Sequence, residues 1–416
     1  MLTLTDDDAA IAGGRDGEGA ALALRLVAET GRLLGADRLV AVASAHIDGC
    51  LYHGDSGTEF AEFLVARGGR VRVPSTLNVG ALDLMRPGNV RLAGARRDMA
   101  LRLMRAYEAM GCRATWTCAP YQAGHRPALG SDVAWGESNA VAFCNSVLGA
   151  RTNRYGDFLD IACAIAGRAP RYGLHLSDNR RASVVVGTAG LSDALKRKEA
   201  FWPVLGSWLG RTVGERIAVI DGLQGFATED RLKALAAAAA STGAVALFHV
   251  AGVTPEAPDV AAIMAVAAVE RLALTPDMVR HARALLSNAT GDAVDAVAIG
   301  SPHASYDEVG ALESLLAGRR ARVPLYLNTG RHVVTRLERE GRLRPLTEAG
   351  VVAIVDTCVV VTPILSSAGG VLMTNSGKFA FYAPGNTGHA VQFGSLADCV
   401  ESAVAGRLVR DEAGWR

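Results

Sequence analysis

The 416-residue chain has no Cys-x-x-Cys pair, no His-Glu-x-x-His, no P-loop and no Gly-x-Gly-x-x-Gly. Zinc-finger, zincin and NTPase readings therefore lack support, and a dinucleotide cofactor is argued against. Neither charge is in excess: 43 Lys and Arg against 42 Asp and Glu leave a formal net charge of +1. That balance supports neither a nucleic-acid partner nor a membrane surface. Seven cysteines without regular spacing make no disulfide framework and look like a cytosolic set, mostly small core residues with a few able to bind metal. A secretory signal is not expected, because Met1–Thr5 leads into Asp6, Asp7 and Asp8 rather than a basic start and an apolar run. The alanine-rich runs near 234–250 and 260–274 are broken by charge or glycine, so neither is expected to cross a membrane. No repeat of fixed period and no low-complexity linker is present. The expectation is a soluble, cytoplasmic protein.

What is there points to an α/β protein. Half the residues are hydrophobic, enough for a large interior, and the length implies two or three lobes. Thr5 with Asp8 reads as a capping box opening a helix. Ala20, Leu24, Val27, Gly31 and Leu34 share one face of a second helix, and Ala100, Leu103, Met104, Tyr107 and Met110 mark another that Gly111 terminates. Leu39–Ala43 and Arg70–Pro74 read as strands and Glu59–Arg67 as a helix. Beyond Ala244 strands are expected at Ala244–Val250, Ala296–Gly300, Val323–Leu327, Val351–Val355 and Val371–Met373. Helices near Asp230–Ala240, Pro276–Ser287, Asp307–Ala317, Val333–Glu340 and Leu396–Ala405 alternate with them. Such alternation predicts mostly parallel sheets covered by helices. The boundary is placed near 240, dividing lobes 1–240 and 241–416.

Open α/β sheets bind ligands outside the carboxyl ends of their strands. Four apolar runs end there in polar or thiol groups: Ser44-Ala45-His46, Thr117-Cys118, Ser301-Pro302-His303 and Asp356-Thr357-Cys358. They suggest one shared site. Cys118 and Cys358, each preceded by Thr, are the cysteines best placed as ligands, with buried thiols the alternative. Cys112, Cys144, Cys163 and Cys399 read as core thiols, and Cys50 stands between the two readings. His46, His53, His175 and His303 sit in candidate site loops. Arg151, Arg154 and Arg180 are able to hold a carboxylate bidentately, or are ordinary ion-pair arginines. The Gly- and Arg-rich stretch 118–154 reads as an active-site wall.

Whole phrases carry a resemblance. Ser44-Ala45-His46-Ile47-Asp48-Gly49, Ser75-Thr76-Leu77-Asn78, Thr117-Cys118-Ala119-Pro120-Tyr121 and Ala134-Trp135-Gly136-Glu137-Ser138 resemble the catalytic large subunit of the aconitase X family. So do Ser146–Arg154, Gly173–Leu176, Gly252–Ala257, Pro302–Ser305, Asp356–Cys358 and Thr374–Lys378, end to end and in order. The resemblance implies an aconitase-like multi-lobe α/β fold, an iron–sulfur cluster and a dehydration. Two substrates are known in the family, cis-3-hydroxy-L-proline and mevalonate 5-phosphate. It also implies a small swivelling domain carrying a catalytic Ser, fused in some members and separate in others. This chain has room only for the large part, so a small-subunit partner is expected.

One departure bears on the cluster. The phosphomevalonate branch reads Gly-Cys-Pro-His where this chain has Gly300-Ser301-Pro302-His303, so one expected thiolate is missing. Cys50 stands where that branch usually has no cysteine. Both features look like the hydroxyproline branch. They imply a metal site of Cys118, Cys358 and Cys50, or fewer thiolates, with [2Fe–2S] favoured over [4Fe–4S]. An open iron position would polarise the leaving hydroxyl. His303 and Lys378 are the candidates for polarising or proton-relay roles. Ser44, His46, Asp48, Asn78, Ser138, Asn139, Arg154 and His175 are the candidates for holding substrate. Dehydration of mevalonate 5-phosphate is the runner-up, and a non-catalytic binding protein that has lost its cluster is the competing reading of another class.

Overall fold

The computed structural model describes residues 2–265, 269–366 and 369–415. It divides into two compact units, Met1–Leu82 with Leu92–Arg181, and Asp83–Arg91 with Ala182–Arg416. The boundary expected near 240 falls inside the helix Glu229–Gly243, whose capping Thr228 and run of buried alanines make one continuous element. The division lies at Arg181 and Ala182 instead. Of the alanine-rich stretch 260–274, residues 266–268 lie outside the described residues. Among the described residues no helix is long and apolar enough to cross a membrane.

The first unit opens as its sequence dictates. Thr5 accepts from the Asp8 backbone at 3.1 Å and the Asp8 carboxylate accepts from the Thr5 backbone at 3.2 Å, closing the capping box on the helix Asp6–Ala12. The helix Glu18–Leu33 buries Ala20, Leu24, Val27 and Gly31, while Leu34 is an exposed C-cap. The strands are short: β1 Leu39–Ala41, β2 Ala45–Ile47, β3 Ser75–Leu77, β4 Ala134–Trp135 and β5 Arg168–Pro170. β1 pairs antiparallel with β5, and β3-β2-β4 form a parallel sheet with β2 at its centre. Arg70–Pro74, expected as a strand, forms none, and the strand there is Ser75-Thr76-Leu77. Ala114–Trp116 runs beside β3 through single bonds, Arg113 N to Ser75 O at 2.8 Å and Thr117 N to Leu77 O at 3.1 Å, without a ladder of its own.

The second unit holds two parallel sheets. β6 Val184–Gly187, β7 Ala218–Asp221, β8 His249–Val250 and β9 Glu270–Ala273 are ordered β8-β7-β6-β9. β10 Ala296–Ala304, β11 Leu325–Thr329, β12 Val351–Ile354, β13 Val371–Thr374 and β14 Ala390–Phe393 are ordered β12-β11-β10-β13-β14. The alternation expected from Ala296 to Met373 is found, and the helix Leu396–Ala405 has the expected ends, whereas of the expected strand Ala244–Val250 only His249–Val250 pairs, and β6, β7, β9 and β14 are additional. Ser301-Pro302-His303 lies inside β10 rather than after it, where the register against β11 shifts between Ile299 and Ala304. Helices Phe201–Val213 and Glu229–Gly243 cross so closely that a Cβ on Gly243 would sit 1.9 Å from the Gly210 carbonyl oxygen. Only glycine allows that approach.

Candidate active site

In the first unit the carboxyl ends of β2, β3 and β4 carry the chemistry. Because the three strands are parallel, Asp48, Asn78 and Glu137 leave the same edge of the sheet. His46 is fully buried in β2. Its Nδ1 meets the Thr76 hydroxyl at 2.9 Å, its ring lies 5.5 Å from Trp135, and Nε2 has no partner. Burial drives its pKa well below the ordinary value, so the imidazole is neutral. His125, which the sequence did not single out, stacks on the other side of this aromatic group, 5.5 Å from Trp135. Burial lowers its pKa to about 4, and its Nε2 is also without a partner.

The Asn78 amide donates to the Asp48 carboxylate. Burial, then the Glu137 and Asp157 carboxylates, raise the Asp48 pKa above the usual range. The backbone of Asp48 and Gly49 is held by Asp160, whose Oδ2 accepts from Asp48 N at 2.7 Å and Gly49 N at 3.0 Å. Asp160, 112 residues from Asp48, carried no local signal. Glu137 caps the helix Ser138–Phe143 by accepting from Ala140 N at 2.7 Å. Asn139 donates to the Cys118 carbonyl at 2.8 Å, fixing the segment that bears that thiol. Among the described residues Ser44 Oγ and Asn78 Oδ1, like His46 Nε2 and His125 Nε2, are buried and without a hydrogen-bond partner. Buried polar atoms without partners are uncommon in folded proteins, and a cluster of them marks a place built for a ligand.

Two expected substrate contacts are occupied elsewhere. His175 uses both ring nitrogens, Nδ1 on Asp132 at 2.7 Å and Nε2 on the Tyr155 hydroxyl at 2.6 Å, so neither is left for a ligand. Arg180 is buried and donates to Asn145 Oδ1 at 3.0 Å and to the carbonyls of Leu174, Asn145 and Ala150. It holds loops together. Arg154 is exposed, whereas Ser138 is half-buried at the start of its helix.

In the second unit the carboxyl ends of β10, β11, β12 and β13 meet. Fully buried His303 donates through Nε2 to the Thr357 carbonyl at 3.0 Å, and burial lowers its pKa to about 4. It thereby ties β10 to the Cys358 loop. Lys378 lies half-buried in the first turn of the helix Gly377–Thr387, where the charge reaches His303. Ser376 caps that helix and donates to the Ser301 carbonyl. Gly300, at φ +86°, has no room for a Cβ, which would lie 2.0 Å from the Asn328 carbonyl oxygen.

The thiols divide by environment. Among the described residues no three His, Cys, Asp or Glu side chains stand together as a ready ion site. Cys118 follows the segment that runs beside β3, Cys358 follows β12, and beside Cys358 the buried Thr357 hydroxyl has no partner among the described residues. Each, within its own unit, fits a thiolate ligand. Cys50 does not. Its thiol faces the carbonyls of Ile47 at 3.4 Å, Asn78 at 3.5 Å and Val79 at 3.9 Å, and burial with Asp48 and Asp160 pushes its pKa far up. A thiol among carbonyl oxygens is a donor, and a thiolate there would be repelled. Cys50→Ala should therefore leave iron and sulfide content unchanged while lowering stability by about 1 kcal/mol; an iron assay and a thermal melt read the two effects.

Models of the aconitase X first, second and third domains match residues 1–178, 182–284 and 294–405. The chain is 42% identical over 98% of its length to a cis-3-hydroxy-L-proline dehydratase of Pseudomonas aeruginosa, of which it covers 71%. It is 37% identical over 90% of its length to the phosphomevalonate dehydratase large subunit of Methanothermobacter thermautotrophicus, of which it covers 92%. A holo-form crystal structure of Thermococcus kodakaraensis aconitase X superposes with a TM-score of 0.86 at 32% identity, over 96% of this chain and all of that one. The α/β architecture, the run of three domains and the end-to-end identity agree: the chain belongs to the aconitase X family and is a hydro-lyase.

Proposed function

We propose that the chain is the large subunit of an iron–sulfur dehydratase that converts cis-3-hydroxy-L-proline to a pyrroline-2-carboxylate in the cytoplasm. The observation that carries this reading is the set of orphaned buried polar atoms on His46, Asn78 and Ser44, beside Asp48, in a chain 42% identical to a hydroxyproline dehydratase. Cys118 and Cys358 are the thiolates of the cluster, and the short thiolate count favours [2Fe–2S]. When bound, such a group supplies Lewis acidity at the leaving hydroxyl.

The chain's own residues do the remaining work. The neutral His46, locked through Nδ1 by Thr76, presents Nε2 as a fixed partner for a polar substrate atom. Asn78 and Asp48 form a coupled donor and acceptor pair at the same sheet edge. Ser138, half-buried at the start of its helix, contacts the substrate carboxylate in this reading. Lys378 adds positive charge in the first turn of its own helix. The α proton is removed by the Ser of a small swivelling partner. The archaeal relatives are named large subunits, which supports a separate partner.

A second reading, dehydration of mevalonate 5-phosphate, draws on relatives of 32–37% identity. Competing the two substrates in one assay, with the small subunit added under anaerobic conditions, separates them. Water loss from the hydroxyproline should dominate, and the chain alone should be nearly inactive. Preferential turnover of the phosphorylated acid, or full activity without a partner, overturns the reading.

A further inference from the structure

The loop that carries Cys358 is gripped by side chains from four separate segments of the second unit. Asp83 Oδ2 accepts from Val355 N at 3.2 Å. Arg331, at the start of the helix Arg331–Arg339, donates two parallel bonds to Asp356, both 2.8 Å. His303 Nε2 donates to the Thr357 carbonyl at 3.0 Å. Asn328, fully buried in β11, accepts from Val359 N through Oδ1 at 3.0 Å and donates through Nδ2 to the Ile299 carbonyl at 2.8 Å. The backbone groups at its two ends, one a donor and one an acceptor, fix the amide's orientation.

The loop needs such a grip. Asp356 sits at φ +62°, a left-handed conformation that a non-glycine residue leaves unless it is held. Its carboxylate is fully buried, and a bidentate guanidinium is the partner that satisfies such a group best. Asn328 does a different job. It bridges the segment before Gly300-Ser301 to the residue after Cys358, so one side chain sets the spacing of two strand ends. Neither Asn328 nor Arg331 belongs to the thiol set.

We infer that Asn328 and Arg331 are positioning residues that hold the Cys358 thiol in place before any cluster is loaded. The assignment of Cys358 as a ligand rests on the proposed function; the grip on its loop does not. In the grip, the Asn328 amide sets where the loop ends, and the Arg331–Asp356 pair sets its backbone turn. Loading then meets a thiol already placed, as precise sites require support from a surrounding shell.

The test uses the unloaded full-length chain. Alkylation of Cys358 by iodoacetamide is followed by peptide mass spectrometry, with Cys118 in the same molecules as the reference. Asn328→Ala removes both bonds and should speed Cys358 alkylation about tenfold, the change expected from losing one net buried hydrogen bond. Arg331→Ala, a change at a part-exposed side chain, should do the same and decides the matter if Asn328→Ala does not fold. Cys118 should keep its wild-type rate in both. Wild-type Cys358 rates in folded Arg331→Ala and folded Asn328→Ala overturn the inference, as does equal acceleration of both thiols. Iron content of Cys358→Ala reads the ligand assignment separately: retained iron there, with accelerated alkylation in the clamp variants, rejects the ligand and keeps the clamp.

Discussion

Cys118→Ala and Cys358→Ala should each lose iron and turnover together, with the fold intact. Both thiols are buried but are short side chains, so alanine costs little packing. Activity on cis-3-hydroxy-L-proline should fall by about 10³-fold or more, roughly the 4 kcal/mol that Lewis-acid polarisation of a leaving group supplies. Circular dichroism should match the wild type, and melting should change only by the stabilisation that cluster binding itself confers. Colorimetric iron and sulfide assays on anaerobically purified protein, beside steady-state rates, make the measurement. Retained iron and turnover in either variant defeats the assignment of that thiol. Loss of activity with full iron would instead make the residue a substrate contact.

The contrast with Cys50 shows where sequence reading stops. A preceding Thr sets Cys118 and Cys358 apart from Cys50, but that local signal leaves the role of Cys50 open. What separates Cys50 is its placement against the carbonyls of Asn78 and Val79, 28 and 29 residues away. That is a product of the β2–β3 crossover. The same holds for the histidines. His46 and His175 look alike in sequence, yet one keeps an open nitrogen and the other is bonded at both ends by Asp132 and Tyr155.

Elements with a clear period were legible. The helix Leu396–Ala405, the capping box at Thr5 and the alternating strands after residue 296 follow from spacing alone. The helix Phe201–Val213 is less legible, because Pro203, Gly206 and Gly210 interrupt its apolar pattern although most of its residues are buried. Its Gly206 and Gly210 permit its close crossing with Glu229–Gly243. Strands β6 and β7, four residues each, fall in the same irregular stretch, where a short apolar run cannot be told from a buried helix segment. Polar strands such as Ser75-Thr76-Leu77 were taken for loops because their composition resembles one. Their pairing partner, β2, supplies the order.

Asp160→Ala should be among the most damaging single changes in the first unit, at about 3–5 kcal/mol, because it strands buried backbone donors. The carboxylate accepts from Asp48 N, Gly49 N and, at 2.6 Å, Ile161 N. No water replaces it cheaply at a fully buried position. Asp160→Asn is the informative partner variant, since its amide oxygen still accepts from Asp48 and Gly49. It should keep the fold and most of the activity, and it should change how stability depends on pH. Burial, with Asp157 nearby, raises the Asp160 pKa to about 7 against the bonds from Gly49 and Asp48 that lower it. A carboxyl whose folded pKa lies above its unfolded value binds more protons in the native state between those two values. Its contribution to stability is thus greatest in acid and declines as pH rises from about 4 to about 7. Denaturant melts at pH 5 and pH 8 should show the wild type losing more stability between them than Asp160→Asn does. Equal losses in the two proteins would mean that Asp160 is ionised throughout, held by its backbone donors. In that case the position of Asp48 rests on a charged anchor rather than a neutral one.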